Sequence, residues 1–162
     1  DATGDQDKPI YDLNLAAERI SAAVEAACGQ NIHFTLTARA ENFLHGRPDL
    51  DDTIERLQAF EKAGADVLYA PGLPSLDAIR EVCSAVSRPV NVVAGLSGPA
   101  FSLKQLEDAG VKRVSVGSSL SRLALAAVAG AAREMRNFGT FDFARDAFPS
   151  AEINKLMKEN PR

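Results

Sequence analysis

The chain has 162 residues, of which 46% are hydrophobic and 25% charged, and its net charge is −4. This apolar content excludes disorder for most of the chain, and the scattered single Lys and Arg residues argue against a nucleic-acid partner. The longest apolar stretch, residues 123–132, is far shorter than the roughly 18 residues of a membrane span, so we expect no membrane segment.

Two cysteines without CxxC spacing indicate a reducing compartment, so we expect a cytoplasmic protein. The sequence starts at Asp1, with neither an initiator Met nor the charged and apolar regions of a signal peptide. We therefore expect the chain to be a piece of a longer protein.

Helical and extended patterns alternate along the chain. Apolar residues recur at three- and four-residue steps over residues 13–27, which predicts an amphipathic helix with Asp12 as N-cap and Gly29 as C-cap. Extended apolar runs predict strands at 32–38, 66–70, 90–94 and 113–116. The other helices are predicted at 54–63, after Ser75, after Ser102 (whose capping box uses Gln105), and from 117–119 to about Asn137.

Strands that alternate with helices predict an α/β fold with a parallel sheet. Four such units are half of a (β/α)8 TIM barrel, which needs about 250 residues. An open sheet of the flavodoxin kind competes, but it would place a glycine-rich phosphate loop after the first strand, where this chain has Arg39-Ala-Glu-Asn42. We therefore predict that residues 1–137 form a barrel half, and that 138–162 form a connector and a last helix capped by Ser150.

Arg39 is the strongest candidate for a binding residue, because barrels carry their reactive groups just after the strands. Its guanidinium is a planar fork that can hold a carboxylate or a phosphonate through two parallel hydrogen bonds. The alternative is a structural ion pair with Glu41, two residues further along an extended chain. The sequence leaves the two interpretations about even.

Other polar residues follow or interrupt the predicted strands. Asn91 lies in an apolar strand, so its amide must satisfy backbone groups or face a polar ligand. Residues 117–119 could bind an anion or simply cap a helix, and the cap is the more common case. His45 and Arg47 could close over an anion or remain solvated in their loop. His33 lies in a predicted strand and is expected to be structural, and no HxxH or HExxH pattern indicates a metal site.

The segment Leu36-Thr-Ala-Arg-Ala-Glu-Asn-Phe43 resembles the A-R-x-[DE] signature of the isocitrate lyase and phosphoenolpyruvate mutase superfamily. The resemblance continues through 50–54, Ala63-Gly-Ala-Asp66 and Pro89-Val-Asn91. The opening Asp1-Ala-Thr-Gly4 is similar to the segment after the fourth strand in that family. The resemblance therefore covers nearly the whole chain.

This resemblance implies a TIM barrel of which the chain supplies roughly strands 5 to 8. It implies a Mg²⁺-dependent enzyme that cleaves or rearranges a C–C or P–C bond of a small α-oxoacid, phosphonate or malate-like dicarboxylate through an enolate. Arg39 and Glu41 become catalytic candidates, and Arg39, Asn91, His45 and Arg47 become substrate-binding candidates. The metal ligands are expected upstream of Asp1. A homodimer or homotetramer that exchanges its C-terminal helix is also implied.

The chain departs from the lyases of this superfamily in two places. Their K-K-C-G-H or K-R-C-G-H loop supplies a proton from Cys, whereas the matching stretch here is Asp5-Gln-Asp-Lys-Pro-Ile-Tyr11. Methylisocitrate lyases tend to have a Glu where this chain has Ala70-Pro71-Gly72. These departures favour the mutase-like members, and they keep open a second function, a catalytically silent anion-binding barrel.

Overall fold

The computed structural model describes residues 1–95 and 100–159. Its helices are α1 (Leu13–Cys28), α2 (Leu50–Lys62), α3 (Leu76–Ala85), α4 (Leu103–Asp108), α5 (Ser119–Phe138) and α6 (Ser150–Glu159). Its strands are β1 (Thr37–Arg39), β2 (Val67–Tyr69), β3 (Val90–Val93) and β4 (Arg113–Ser115). Two short 3-10 helices lie at Asn42–His45 and Asp142–Asp146.

The strands form one four-stranded sheet in the order β1-β2-β3-β4, and every neighbouring pair is parallel. A helix connects each strand to the next, which confirms the predicted α/β fold. The register aligns Arg39 with Tyr69, Tyr69 with Asn91, and Asn91 with Arg113. These four side chains therefore belong to the same face of the sheet.

The sheet is strongly curved. Arg113 Nη1 on β4 donates a hydrogen bond of 2.8 Å to Thr37 Oγ1 on β1, although these are the two edge strands. A flat sheet would hold strands three spacings apart at about 14 Å, which is further than these two side chains can bridge. The bond forms because the sheet curls toward the face that carries both residues, as the wall of a barrel does.

The opposite face of the sheet packs against the helices. Ala38, Leu68 and Val90 are at most 2% exposed and share one core cluster with residues of α2 and α3, among them Leu57, Phe60 and Val82. Because side chains alternate along a strand, the inner, concave face carries the remaining positions. Those positions are largely polar, namely Thr37, Arg39, Tyr69, Asn91, Arg113 and Ser115.

Several helix ends match the sequence prediction. Ser75 accepts the backbone N–H of Ala78, and Ser102 forms the predicted capping box with Gln105. Helix α1 begins directly after Asp12, but the Asp12 side chain accepts no capping hydrogen bond. Helix α2 begins at Leu50, where the Asp49 side chain accepts the N–H of Asp52.

The prediction for the first strand was wrong over most of its length. Only Thr37–Arg39 pairs, whereas Ile32 and Phe34 are 70% and 52% exposed. The partner strand starts at Val67, opposite Thr37, and the carboxylate of Asp66 accepts the N–H of Leu36 at 2.8 Å. Among residues 1–95 and 100–159, no strand therefore lies beside residues 32–35, and His33 is an exposed residue outside the sheet rather than a structural one within it.

The chain divides into two compact units, residues 1–117 and 118–162. In the second unit, Glu134 of α5 accepts hydrogen bonds from the Thr140 hydroxyl at 2.7 Å and from the N–H of Asp142 at 2.6 Å. The Thr140 hydrogen bond lowers the pKa of Glu134. The predicted division of the barrel half at residues 137 and 138 stays a prediction.

Within the described ranges, no helix is both long and apolar enough to cross a bilayer.

A buried arginine connects α2 to the first residues of the chain. Arg56 is 6% exposed, and its Nε donates to Asp52 Oδ2 at 2.8 Å while Nη1 donates to Tyr11 O at 2.8 Å. Nη1 also lies 3.2 Å from Asp1 Oδ2, and Asp1 Oδ1 accepts the N–H of Glu41. The segment that follows β1 is therefore fastened to this ion cluster.

Asp52 provides a pH-dependent test of the cluster. Burial alone raises the pKa of Asp52, but hydrogen bonds from Arg56 and from the Asn42 amide outweigh it and leave that pKa below its ordinary value of 3.8. A lowered native pKa adds stability above the ordinary value, and this stability is lost as the pH falls through the native pKa. We expect Asp52→Asn to destabilise the protein by about 1 kcal/mol at pH 7 and much less at pH 3, measured by urea unfolding. Asp51→Asn, an exposed neighbour in the same helical turn, is the matched control; an equal loss in both variants would contradict the cluster's role.

Candidate functional site

A cavity of about 380 Å³ opens on the inner face at the C-terminal ends of the strands. Its walls come from β1, β2, β3 and β4 and from the segments that follow β1, β2 and β4. The lining residues are Arg39, Leu44, Tyr69, Pro71, Gly72, Val93, Ser115 and Gly117. This is the edge of a parallel sheet where α/β enzymes bind their ligands.

Arg39 lines this cavity and also forms the ion pair that the sequence left open. Its Nη2 lies 2.6 Å from Glu41 Oε1, and its Cζ lies 5.1 Å from the centroid of the Tyr69 ring. The side chain is still 46% exposed, so part of the guanidinium faces the cavity. The ring and the carboxylate thus fix the direction of the guanidinium while leaving donors for an anion.

Glu41 contacts the side chains of Arg39 and His45 at once. Its Oε1 pairs with Arg39, and its Oε2 lies 3.3 Å from His45 Nε2. Residues 42–45 form a 3-10 helix that brings His45 back toward Glu41, and Gly46 ends it with a left-handed φ of 70°. Glu41 is therefore placed to orient Arg39.

The structure does not bring every predicted binding residue to this cavity. His45 lines a separate cavity of about 280 Å³ with residues of the 4–9 loop. Arg47 is exposed and lines neither of these two cavities. Substrate contacts by His45 and Arg47 stay predictions.

Asn91 lies behind the cavity wall rather than in it. It is 3% exposed, and its Nδ2 donates a hydrogen bond of 3.1 Å to Ser115 Oγ. Ser115 lines the cavity, whereas Asn91 does not. Sequence reasoning missed Ser115, although one signal was present: a serine interrupts an apolar strand just before Gly117.

Tyr69 is a second residue that sequence reasoning missed. The sequence predicted an extended apolar strand at 66–70, but Tyr69 points to the inner face and lines the cavity. Burial raises the pKa of the Tyr69 hydroxyl, although the nearby Arg39 opposes this effect. The hydroxyl therefore stays protonated at neutral pH and can donate a hydrogen bond.

The remaining lining of the cavity is apolar. Gly72 has a φ of +88°, and a Cβ there would lie 3.1 Å from Phe43 Cβ and 3.3 Å from Leu44 Cδ2. A side chain at this position would combine a strained backbone with a close contact, so glycine allows the loop after β2 to pack directly on the 3-10 helix after β1. Leu44, Pro71 and Val93 complete this wall.

The described part of the chain does not form a metal centre by itself. Within residues 1–95 and 100–159, no group of three or more His, Cys, Asp or Glu side chains is placed to hold a metal ion. Glu41, the carboxylate nearest the cavity-lining Arg39, is already paired with that residue and with His45. We therefore assign no step of the reaction to a metal held by these residues.

Comparison with known proteins agrees with this fold. The family model described as phosphoenolpyruvate phosphomutase matches residues 1–136. The chain belongs to this family. A crystal structure from Burkholderia cenocepacia J2315, of a protein named as a lyase/mutase, is 56% identical with a TM-score of 0.90 and covers 99% of this chain. The superfamily predicted from residues 36–43 is thus confirmed.

More distant relatives belong to the same superfamily. A protein named as a phosphonomutase from B. cenocepacia J2315 is 33% identical with a TM-score of 0.70, covering 78% of this chain and 52% of that one. The 2-methylisocitrate lyase of Escherichia coli K12 is 31% identical over 106 residues, which are 64% of this chain and 34% of the lyase. The chain spans 58% of the lyase/mutase of B. cenocepacia and about half or less of the curated relatives that it matches.

Tyr69 provides a test of how Arg39 is held. Replacing Tyr69 by Leu removes the ring beside the guanidinium, whereas Tyr69→Phe retains the ring and loses only the hydroxyl. A cation–π contact contributes about 0.5–1 kcal/mol, so we expect Tyr69→Leu to weaken oxalate binding about two- to fivefold more than Tyr69→Phe does, measured by titration calorimetry. Equal affinities in the two variants would show that the ring does not support Arg39.

Proposed function

We propose that the intact protein is a Mg²⁺-dependent lyase or phosphonomutase. It cleaves or rearranges a C–C or P–C bond of a small α-oxoacid, phosphonate or malate-like diacid through an enolate. Membership of the family supports this proposal. The observation that carries it is the guanidinium of Arg39, which faces a cavity at the C-terminal edge of the sheet and is oriented by Glu41 and Tyr69.

In this proposal, Arg39 binds the carboxylate or phosphonate of the substrate. The same positive charge stabilises the negative charge that develops on the enolate, and the orientation imposed by Glu41 means that little reorganisation is needed during the reaction. Tyr69 stabilises the plane of the guanidinium, and its protonated hydroxyl can donate to an oxygen of the substrate. The apolar wall excludes water from the other side of the substrate.

Mg²⁺ is proposed on the strength of a structural relative. A structure of phosphonopyruvate hydrolase with oxalate and Mg²⁺ has the same fold, with a TM-score of 0.76 at 23% identity. The metal ligands in the intact protein would be residues outside 1–162. We also propose a cytoplasmic enzyme.

The second candidate function is an anion-binding barrel without catalytic activity. It is favoured by the apolar wall formed by Leu44, Pro71 and Val93, which offers no acid or base to the substrate. The lack of a cysteine in residues 5–11 favours it as well. In such a module Arg39 would bind an anion in the same way, but no bond would be broken.

Replacing Arg39 by Lys tests the role of Arg39, and oxalate binding with and without Mg²⁺ separates the two functions. Lys keeps the charge but loses the planar fork, so we expect the turnover of a confirmed α-oxoacid or phosphonate substrate to fall about 10²-fold or more. Arg80→Lys, on the exposed surface of α3, is the control and should leave turnover unchanged. Oxalate binding that requires Mg²⁺, together with turnover, supports the enzyme. Binding that does not need metal, with no turnover on any substrate of a panel, supports the silent module.

A homodimer or homotetramer is proposed through the C-terminal segment. In α6, Ile153 and Met157 are 46% and 74% exposed, and three phenylalanines lie between 138 and 143 in the connector before it. An amphipathic helix of this kind needs an apolar partner surface. Deleting residues 148–162 from the intact protein should lower its mass by light scattering from an oligomer to smaller species. An unchanged mass would show that α6 packs only against its own chain and does not hold subunits together.

A further inference from the structure

We propose that His45 regulates how tightly Arg39 binds an anion, because protonation of the imidazole changes the charge that Glu41 neutralises. This inference rests on the proposed function, since it concerns regulation of the same site. It gives His45 a role other than the substrate contact predicted by resemblance. His45 becomes a positioning residue that acts through Glu41, and anion binding becomes tighter as the pH falls.

The carboxylate of Glu41 is shared between two side chains. Its Oε1 lies 2.6 Å from Arg39 Nη2, and its Oε2 lies 3.3 Å from His45 Nε2. The Glu41 side chain is only 15% exposed, so water has limited access to a carboxylate that already has two partners. His45 lines the cavity of about 280 Å³ beside the 4–9 loop, whereas Arg39 lines the cavity at the strand ends. Glu41 therefore lies between the imidazole and the proposed anion site.

The backbone around Glu41 holds this arrangement in place. The Glu41 N–H donates to Asp1 Oδ1 at 2.9 Å, and the Glu41 carbonyl accepts the N–H groups of Leu44 at 3.1 Å and of His45 at 3.2 Å. Gly46 then ends this 3-10 helix with its left-handed φ of 70°. The imidazole is therefore fixed one turn from the carboxylate, and a change in its charge acts on Glu41 at short range.

The charge that an incoming anion meets depends on the imidazole. With neutral His45, the formal charges of Arg39 and Glu41 cancel. With protonated His45, the same carboxylate is shared between two cations, and the three groups together carry one net positive charge. The imidazolium has a hydrogen on both ring nitrogens, so this argument does not depend on which nitrogen carries the hydrogen in the neutral form.

The imidazole is the group of this cluster that titrates near neutral pH. Histidine ordinarily changes its charge between pH 5 and pH 8, whereas carboxylates and guanidinium groups ordinarily keep theirs. Among the described residues of the 4–9 loop that line the cavity with His45, Asp5 is the charged one. Arg47 lies two residues further along the loop of His45. Both stay charged over this range, so the change in the local charge comes from the imidazole.

The experiment compares oxalate binding by the intact protein at pH 5.5 and pH 8, measured by titration calorimetry with Mg²⁺ in constant excess. His45→Gln retains an N–H for Glu41 but cannot become charged. Because Glu41 and solvent separate the imidazolium from the anion, its effect is moderate. We expect the ratio of the affinities at pH 5.5 and pH 8 to be about three- to fivefold larger in the wild type than in His45→Gln.

Two further variants show whether the charge of His45 is responsible. His33→Gln is the matched control, because His33 is the other histidine of the chain and lies outside the sheet, before β1 rather than after it. It should retain the wild-type ratio. His45→Lys keeps a positive charge at both pH values, so at pH 8 it should bind oxalate about three- to fivefold more tightly than His45→Gln does.

Proton uptake provides a second readout. Because binding and protonation are linked, oxalate must in turn favour the protonated form of His45. Calorimetry near pH 6.5 in buffers of different ionisation enthalpy should therefore detect more proton uptake on binding in the wild type and in His33→Gln than in His45→Gln. Thermal unfolding of each variant identifies any loss of binding that reflects unfolding instead.

The outcomes distinguish this inference from the proposed function. If His45→Gln has the wild-type pH dependence and proton uptake, the inference is overturned, while weaker oxalate binding by Arg39→Lys would still support the proposed function. If His45→Gln and His45→Lys lose affinity equally at both pH values, His45 acts through packing and the inference is again overturned. If the wild-type protein binds no oxalate at either pH, both the inference and the proposed function fail.

Discussion

The parallel pairing of β1, β2 and β3 determines which side chains share the inner face of the sheet. The register that aligns Arg39 with Tyr69 and Tyr69 with Asn91 places all three on one side. A slip of one residue in either pair would turn these polar side chains toward Leu57 and Phe60 in the core, where burying them without partners would cost several kcal/mol. The apolar core on the outer face therefore enforces the polar cavity on the inner face.

The support of the cavity reaches well beyond its lining. Asp1 accepts the N–H of Glu41 and pairs with Arg56, and Glu41 in turn pairs with Arg39. Three successive interactions thus connect a buried guanidinium of α2 to the exposed guanidinium that faces the cavity. The Arg56–Asp1 pair is shielded from solvent, whereas the Arg39–Glu41 pair is not. The buried pair therefore restricts the motion of Glu41 and, through it, of Arg39, which stays accessible from the cavity.

The sequence was sufficient to predict the fold class, because alternation of strand and helix is a local pattern. It also placed Arg39 at the C-terminal end of a strand, where the structure has it as the last residue of β1, whereas the binding role of Arg39 stays a prediction. It was not sufficient for Ser115 and Tyr69, since which face a strand residue occupies depends on pairing with strands distant along the chain. It failed for residues 32–36, whose apolar run is typical of a strand but has no partner of matching length. Residues 96–99 lie outside the described residues.

The bond between Arg113 and Thr37 has a consequence for the width of the cavity. Thr37 lies two residues before Arg39 on β1, and Arg113 lies two residues before Ser115 on β4. The side chains of Thr37 and Arg113 are joined by a hydrogen bond of 2.8 Å, which limits how far β1 and β4 can separate at this level. Because Arg39 and Ser115 lie on the same two strands one level further along, the separation of the strands is limited there as well. The curvature of the sheet thus restricts the width of the cavity between its first and last strands.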